Sequence, residues 1–465
     1  MTYLDVFWAM PSGLLEMSLH FTLGLLSKPY IYLNNPSAMK LAYLLSEYPT
    51  LGHTYLLREV RQLRSMGWDI QTISVRRPGA RSKPLSEVET EELNSTWYIL
   101  GGSAMQHLVC HAATLASRPW RYAKGLLRAL RFGQYHPRQT GMALAYFAEA
   151  VSAGHCLRKH GITHVHSVYS TTVALILSQI FDVHMSMTLH GPAEFTDPEG
   201  FAIRDKVRAA ELVCSISYFG RSQIMLWSAA EDWHKLHVTP LGVDPAGWKL
   251  AQFKDRPEPF ELVSAGRLVE IKGFPLMLEA IAELRRQGRN VRLTLAGDGP
   301  SRRSLEQQAR EFGIAECVVF AGWKNQDELR ELYAKSDIFV MSSFAEGVPV
   351  VLMEAMAIGV PCVAPRINGI PELIRNEIDG LLFTATDVSE LVEALARMMD
   401  DAQMRRRMSL SSRERVNKKY NLRKNVEQLA AVLGAWIEKN CQQTLDQNTS
   451  PSGGGSASQR FRMDS

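Results

Sequence analysis

The chain has 465 residues, of which 46% are hydrophobic and 22% are charged, and its formal net charge is +4. At about 100–200 residues per domain, this length predicts two or three domains that can each bury a core. The composition excludes wholesale disorder, a mean hydropathy of −0.12 excludes a polytopic membrane protein, and the mild charge argues against a dedicated nucleic-acid binder.

Residues 1–39 predict an atypical N-terminal extension. Its apolar stretch is interrupted by Pro11, Gly13 and Glu16, and no basic residue precedes Lys28, so neither a spanning helix nor a secretory signal fits. An interfacial segment, a weak anchor and a start codon placed too far upstream remain as interpretations. The last is favoured, because residues 39–45 are typical of the opening strand of an α/β domain.

From about residue 40 to 440, short β-rich runs alternate with amphipathic stretches, which predicts parallel sheets with helices on both faces. The strands predicted in the first half are Leu41–Leu45, Asp69–Val75, His164–Ser167, Ser186–Leu189, Leu212–Ser215 and His237–Thr239. Those in the second half are Phe260–Ser264, Val291–Ala296, Val318–Ala321, Ile338–Met341, Pro361–Ala364 and Leu381–Phe383. Two such series predict two doubly wound α/β domains rather than one large sheet.

The predicted boundaries follow from these series. The first domain covers 40–240, a proline-rich linker covers 241–259, and the second domain covers 260–420. A helix over 421–443 is expected to cross back to the first domain, and 444–465 to form a flexible tail. Ligands of doubly wound sheets bind at the carboxyl ends of the strands, so we expect the site in the cleft between the domains.

In the first half, Gly52 follows the first strand and permits close approach of backbone to a ligand. His190 follows the strand Ser186–Leu189, and a neutral histidine there can donate to or accept from a sugar hydroxyl. His164 and His166 alternate on a strand, but no carboxylate or cysteine accompanies them and the six cysteines of the chain are widely spaced. We therefore expect no metal site and interpret the cysteines as reduced thiols of a cytoplasmic protein.

A window without acidic residues lies between Glu92 and Glu149. Aromatic and aliphatic residues alternate there with a basic set: Arg118, Arg121, Lys124, Arg128 and Arg131. This pattern predicts a basic amphipathic helix suited to an anionic membrane face or to a lipid-diphosphate acceptor. A solvated helix face packed on the sheet is the alternative, and nucleic acid is not an expected partner.

In the second half, Gly266, Arg267 and Lys272 follow a strand, and an arginine with a lysine suits a pyrophosphate. Another strand ends in the turn 297–299, which is neither a dinucleotide fingerprint nor a P-loop. A solvated loop and an ordinary turn are the respective alternatives.

The strongest pattern runs from Glu346 to Glu354. Pro349 fits the first turn of a helix, whose start offers free amides from Val350 onward to an anion. Carboxylates accept hydrogen bonds from sugar hydroxyls. A solvent-facing helix is the alternative.

The spacing of Glu346 and Glu354, with Gly347 and Pro349 between them, resembles the signature of the family 4 retaining glycosyltransferases, which have the GT-B fold. Motifs at 241–244, 266–273 and 297–300 match that family in order and spacing, so the resemblance spans roughly 40–440. The loop after the first strand looks like that of exopolysaccharide and colanic-acid-type members. It has Gly-His-Thr-Tyr at 52–55, where those proteins have Ser-Glu-Thr-Phe, so the role of that glutamate does not carry over.

The resemblance implies a metal-independent hexosyltransferase that uses a UDP- or GDP-linked sugar and no further cofactor. Front-face substitution is implied, in which Arg267, Lys272 and the helix start stabilise the leaving diphosphate. Glu354 would hold the ribose, Glu346 the transferred sugar, and His190 would contact that sugar from the first domain. The residues predicted to bind the donor are Gly52, Gly266, Gly297, Asp298, Gly299, Gly347, Val348, Val350, Val351 and Glu354.

The implied acceptor is a saccharide or a lipid-diphosphate saccharide of a cell-surface polysaccharide pathway. The enzyme would be cytoplasmic, with a peripheral place at the inner membrane surface. A non-catalytic nucleotide-sugar-binding subunit and a nucleotide-sugar epimerase are the alternatives.

Overall fold

Two parallel sheets organise the chain, as seen in a computed structural model that describes residues 40–50, 53–79, 86–132, 137–245, 248 and 250–449. The first sheet has seven strands in the order β3-β2-β1-β4-β5-β6-β7, and the second has six in the order β10-β9-β8-β11-β12-β13. The first-sheet strands are β1 Lys40–Glu47, β2 Asp69–Arg76, β3 Trp97–Tyr98, β4 His164–Val168, β5 His184–Leu189, β6 Leu212–Ser215 and β7 Leu236–Val238. Those of the second sheet are β8 Phe260–Ala265, β9 Val291–Ala296, β10 Val318–Gly322, β11 Ile338–Val340, β12 Cys362–Pro365 and β13 Leu381–Phe383.

Helices cover both faces of each sheet. The helices of the first domain are α1 Thr54–Ser65, α2 Glu87–Ser95, α3 Ala104–Ser117, α4 Pro119–Phe132, α5 Pro137–His160, α6 Thr171–Ile180, α7 Ala193–Thr196, α8 Ile203–Ala209 and α9 Tyr218–Leu226. Those that follow are α10 Phe274–Arg286, α11 Arg302–Glu311, α12 Gln326–Lys335, α13 Val350–Ile358, α14 Ile370–Leu373, α15 Val388–Asp400, α16 Ala402–Lys419 and α17 Leu422–Thr449. The central strands are buried on both faces, as parallel strands require.

These two sheets confirm the predicted α/β class with two doubly wound domains. All six strands predicted in each half are present within a few residues of their expected bounds. The two-residue strand β3 was not predicted, because it is too short to show alternation. The last helix runs to Thr449 rather than ending at residue 443. The extension 1–39 and residues 450–465 lie outside the described residues.

The chain passes between the domains at two neighbouring points. The Val243 amide donates to the Tyr420 carbonyl and the Leu422 amide donates to the Val243 carbonyl, both at 2.9 Å. The Asn425 side chain adds a bond to the Leu241 carbonyl at 2.8 Å. The linker and the start of α17 are therefore joined where they cross.

Helix α17 returns to the first domain and packs on it. Leu429 and Leu433 are buried in the same core cluster as Leu56 and Val60 of α1. Further along, Trp436 Nε1 donates to Glu211 of the first domain at 3.0 Å. The C-terminal segment is thus a structural part of the first domain, although it follows the second in sequence.

Arg405 of α16 is 1% exposed and holds the linker by backbone contacts. Its guanidinium donates to the carbonyls of Met398, at 2.5 Å, and Met399, at 2.8 Å. It also donates to the Asp255 carbonyl at 2.7 Å, and it lies over the Phe260 ring. One buried cation thereby satisfies the carboxyl end of α15 and fixes the linker beside it.

We expect Arg405→Met to lower the free energy of unfolding by about 3 kcal/mol, because it strands several buried carbonyls without a donor. Chemical denaturation monitored by circular dichroism measures this. Arg407→Met, which changes an exposed arginine of the same helix, is the matched control and should cost less than about 0.5 kcal/mol. Equal effects of the two substitutions would show that the carbonyl contacts contribute nothing.

Candidate functional site

The carboxyl edges of the two sheets face each other. A Cβ placed on Gly347, which follows β11, would lie 2.3 Å from the carbonyl oxygen of His190, which follows β5. Only a glycine allows the two domains to approach this closely. Loops that follow strands on both sides therefore meet in one cleft, as the topology of doubly wound sheets predicts.

Lys272 and Glu346 form an ion pair at this edge. The Lys272 Nζ donates to Glu346 Oε1 at 2.5 Å, and the aliphatic part of Lys272 passes Gly266. The Glu346 carbonyl in turn accepts a hydrogen bond from the Asn368 side chain at 2.9 Å. Residues that are 74 positions apart in sequence are thus fixed together, and Asn368, which sequence reasoning missed, orients the Glu346 loop.

The predicted glycine turn approaches the same loop. Gly297 has φ +153, and a Cβ there would lie 1.8 Å from the Gly266 carbonyl oxygen. A Cβ on Gly299 would lie 2.3 Å from the Leu268 carbonyl oxygen. Asp298 is exposed and accepts from the Gly299 amide at 2.8 Å. These residues therefore fix the backbone beside Lys272.

Helix α13 starts beside Glu346 with amides free of backbone partners. Its first backbone bonds run from Leu352 and Met353 to the Pro349 carbonyl, which leaves the Val350 and Val351 amides without a backbone acceptor in the described ranges. The first turn carries no acidic residue. This end of the helix therefore presents a positive dipole and free donors to the cleft, while Val348 is buried below it.

Glu354 lies inside α13 and meets a cation from the other domain. Arg58 Nη2 of α1 donates to Glu354 Oε1 at 3.0 Å, and the two side chains are 14% and 6% exposed. Burial raises the pKa of the Glu354 carboxyl, and the charges of Arg58 and Arg330 oppose that rise. Arg58 was not predicted as a site residue, since its partner is 296 positions away.

His190 lies in a cluster of rings at the first domain's edge. Its ring centroid is 5.1 Å from that of Tyr55 and 5.3 Å from that of Tyr169, and His53 stacks on Tyr169 at 4.6 Å. The hydroxyls of Tyr55 and Tyr169 are 2.5 Å apart. Burial, with smaller effects from His53 and His166, lowers the pKa of His190 to about 3, so its ring is neutral at physiological pH.

Both ring nitrogens of His190 are buried without a hydrogen-bond partner among the described residues. Unsatisfied buried polar groups are costly, and each calls for an explanation, of which a bound ligand is one. Tyr169 adds a second sign of function, because it is a non-glycine residue with φ +63 at the end of β4. The polar functions of this cluster are therefore available to a ligand.

A buried carboxylate that sequence reasoning missed lies just behind His190. Glu194 is 6% exposed, and burial raises its pKa against the opposing effects of neighbouring backbone amides and of Lys206. Its position four residues after His190 is the signal that could have revealed it. Its Oε2, like the ring nitrogens of His190, is buried without a hydrogen-bond partner among the described residues.

Other predicted residues lie apart from these contacts. Arg267 is exposed, and its side chain forms no ion pair or hydrogen bond with any residue that the structure describes. Gly52 lies outside the described residues. His164 and His166 do not share a metal-type cluster: His166 is bonded to Ser186 and Thr188 within the sheet, both at 2.9 Å. Across the described ranges, no group of three or more His, Cys, Asp or Glu side chains is placed to hold a metal ion.

The predicted basic set splits into two groups. Arg118 and Arg121 both pair with Asp182, and Arg128 pairs with Asp205 at 3.1 Å. The remaining two, Lys124 and Arg131, are exposed and have no ion pair with a described residue. In the same parts of the chain, no helix is long and apolar enough to cross a bilayer.

Comparison with known proteins bears on both domains. Residues 249–415 match the sequence model of the family described as "Glycosyl transferases group 1". The amylovoran biosynthesis glycosyltransferase AmsK of Erwinia amylovora is 26% identical over 409 residues, which cover 85% of this chain and 99% of AmsK.

Solved structures are similar over the same length. The Anabaena protein HepE, solved in complex with UDP-glucose, aligns with a TM-score of 0.63 and 19% identity over 85% of this chain and 100% of its own. Sucrose-phosphate synthase of Thermosynechococcus elongatus gives a TM-score of 0.67 and 18% identity over 86% of this chain and 100% of its own. These likenesses show that the two domains have the GT-B fold.

Arg58→Met is expected to lower the free energy of unfolding by about 3 kcal/mol, because it leaves the Glu354 carboxylate buried without its cation. The double variant Arg58→Met/Glu354→Gln should recover most of that loss in a double-mutant cycle. Arg61→Met on the same helix is the control. It removes an exposed pair with Glu91 and a 3.8 Å contact with the buried Glu92, which keeps its closer partner Arg64 at 2.7 Å, so it should cost less than about 1 kcal/mol. A cycle with no coupling would contradict the interdomain pair.

The lowered pKa of His190 makes a pH-dependent contribution to stability. Between about pH 6.5 and pH 3 the unfolded chain binds a proton on this histidine and the folded chain does not, so stability from this residue falls on acidification. Relative to His190→Asn, the wild type should lose about 2 kcal/mol between pH 7.5 and pH 5. Urea unfolding at each pH measures the difference in free energy of unfolding between the two proteins, in which the contributions of the other titrating groups cancel. If that difference did not change with pH, His190 would not be held neutral in the folded protein.

Proposed function

Since residues 249–415 match the sequence model of the glycosyl transferases group 1 family, we propose that the chain is a retaining glycosyltransferase of family 4. It moves a sugar from a nucleotide-diphosphate donor to a lipid-linked saccharide in the assembly of a bacterial exopolysaccharide. The observation that carries this proposal is the Lys272–Glu346 pair beside the open start of α13, facing His190. The name of AmsK supports the pathway, and the UDP-glucose complex of HepE supports a UDP-linked donor over a GDP-linked one.

The diphosphate of the donor fits between Lys272 and the start of α13. The Val350 and Val351 amides and the helix dipole attract an anion, and the exposed Arg267 is free to close over it as a planar fork. These donors stabilise the negative charge that develops on the leaving oxygen, which is the main catalytic contribution expected of such a site. When Lys272 turns to the phosphate, Glu346 is released to accept hydrogen bonds from sugar hydroxyls.

Glu354 is proposed to hold the ribose. Arg58 uses only Oε1 of that carboxylate, so Oε2 remains to accept from a ribose hydroxyl. Arg58 opposes the rise in the pKa of Glu354 that burial causes, and so favours the ionised carboxylate, which is the better acceptor. Arg58 is therefore a positioning residue on the first domain for a ligand bound by the second.

His190 is proposed to contact the transferred sugar. Its neutral ring can donate from one nitrogen and accept at the other, and its backbone lies against Gly347, next to Glu346. A double displacement would need a nucleophilic carboxylate at the sugar. The resemblance to family 4 favours front-face substitution instead, with the leaving diphosphate oxygen taking the acceptor proton.

The acceptor is proposed to be a lipid-linked saccharide, reached from the cytoplasmic face of the membrane. No cofactor or metal ion takes part in the proposed reaction. A non-catalytic sugar-nucleotide-binding subunit and an epimerase remain the competing functions. Incubation with UDP- and GDP-sugars separates the three: the transferase forms a glycosylated acceptor, the epimerase isomerises the donor alone, and the subunit binds donor without turnover.

Lys272→Ala or Arg267→Ala should lower kcat by about two orders of magnitude or more, because each removes a cation from the leaving group. The transfer assay uses the donor found in the binding screen. Arg303→Ala, an exposed arginine of α11, is the matched control and should leave transfer unchanged. Turnover near that of the wild type in the Lys272 and Arg267 variants would refute the phosphate assignment.

A further inference from the structure

Helix α3 packs with its polar side inward. His107 Nδ1 lies 2.7 Å from Ser152 Oγ, and His111 Nδ1 lies 3.0 Å from the Tyr122 hydroxyl. On the next turn, Thr114 Oγ1 lies 2.8 Å from His155 Nε2. The side of α3 that contacts the domain is therefore held by these hydrogen bonds together with Cys110, which packs against the buried core.

The outward side of α3 is apolar. Met105, Leu108 and Val109 are 67%, 63% and 58% exposed, and their spacing places them on one face. The helix contains no charged residue. Scattered exposed apolar residues are ordinary, but a contiguous face of them marks an interaction site.

Helix α4 follows α3 after a single residue, Arg118, and has an exposed side of a different composition. Trp120, at its start, is 86% exposed, and Lys124 and Arg131 share its side of the helix by their spacing. The other arginines of this segment are turned toward Asp182 and Asp205, so they hold α4 on the domain. The outward side of α4 therefore carries a tryptophan, aliphatic residues and two cations that form no ion pair with a described residue.

We propose that this α3–α4 surface, formed by Met105, Leu108, Val109, Trp120, Lys124 and Arg131, lies on an anionic phospholipid bilayer. The apolar face of α3 enters the acyl boundary, and Trp120 sits at the headgroup level, where tryptophan is favoured. Lys124 and Arg131 reach the anionic headgroups with their charged ends while their aliphatic parts stay in the apolar layer.

Charge is the argument for a bilayer rather than a protein partner. No acidic residue occurs from Leu93 to Ala148, and Lys124 and Arg131, which form no ion pair with a described residue, leave the outward side of α4 positive. A second copy of the chain would bring the same positive charge to the interface, and like charges facing each other are unfavourable. The inference deepens the proposed function and rests on it only for the biological purpose of membrane binding. The vesicle test itself requires no turnover.

The test is co-sedimentation of the full chain with vesicles of phosphatidylcholine, with or without phosphatidylglycerol. Wild type should bind the anionic vesicles, and binding should weaken as salt is raised. Met105→Ser/Leu108→Ser should lower the affinity about tenfold or more, because two apolar side chains no longer enter the bilayer. Lys124→Gln/Arg131→Gln should lower it about tenfold for anionic vesicles and leave binding to neutral ones unchanged.

Matched controls distinguish binding by this surface from non-specific binding by exposed apolar or basic residues elsewhere on the protein. Leu410→Ser removes an exposed apolar residue of α16, and Arg303→Gln/Arg407→Gln removes two exposed cations of the second domain; neither should change vesicle binding. Equal binding to neutral and anionic vesicles, or full binding by Met105→Ser/Leu108→Ser, would overturn the proposal. So would a wild-type dimer on size exclusion that this variant turns into a monomer, because a second copy would then cover the surface. The transfer assay with a soluble acceptor reports separately on the proposed activity.

Discussion

The buried pair between Arg58 and Glu354 constrains both the shape of the cleft and its chemistry. A carboxylate inside α13 is costly to keep charged unless a cation reaches it, and the cation comes from α1 of the opposite domain. The approach of the two domains therefore supplies the cation that favours the ionised form of Glu354. The close contact of Gly347 with the His190 backbone exists in the same arrangement, so a site assembled from both domains forms only when they meet.

The two sides of the cleft contribute different kinds of group. The second domain brings charge and donors: Lys272, the exposed Arg267 and the open amides of α13. The first domain brings rings, among them a histidine kept neutral by burial. The second domain's side of the cleft is therefore suited to an anion, and the first domain's side is suited to a sugar. This division follows from topology, because every strand of each sheet ends at the cleft.

Sequence patterns located the groups that lie directly after strands. Lys272, Glu346 and His190 each follow an apolar run, and such local order is visible in a single sequence. Arg58, Asn368 and Tyr169 were missed, because their roles come from partners far away in the chain. The basic helix shows the same limit: its composition predicted a positive face, but only the fold reveals that Asp182 and Asp205 take up part of that charge. Periodicity indicated that the segment was amphipathic, and it could not show which side of α3 turns inward.

The paired crossings at Val243 and Leu422 determine how the two halves can move. Two chain segments run side by side between the domains and are bonded to each other, so they resist twisting and sliding as a single connection would not. A hinge rotation of the domains about the line through both crossings is the motion that these bonds oppose least. Opening by such a rotation would break the Arg58–Glu354 pair and the bonds from the Tyr218 and Phe219 amides to Glu372. It would leave intact the packing near Asn425 and the core between α1 and α17.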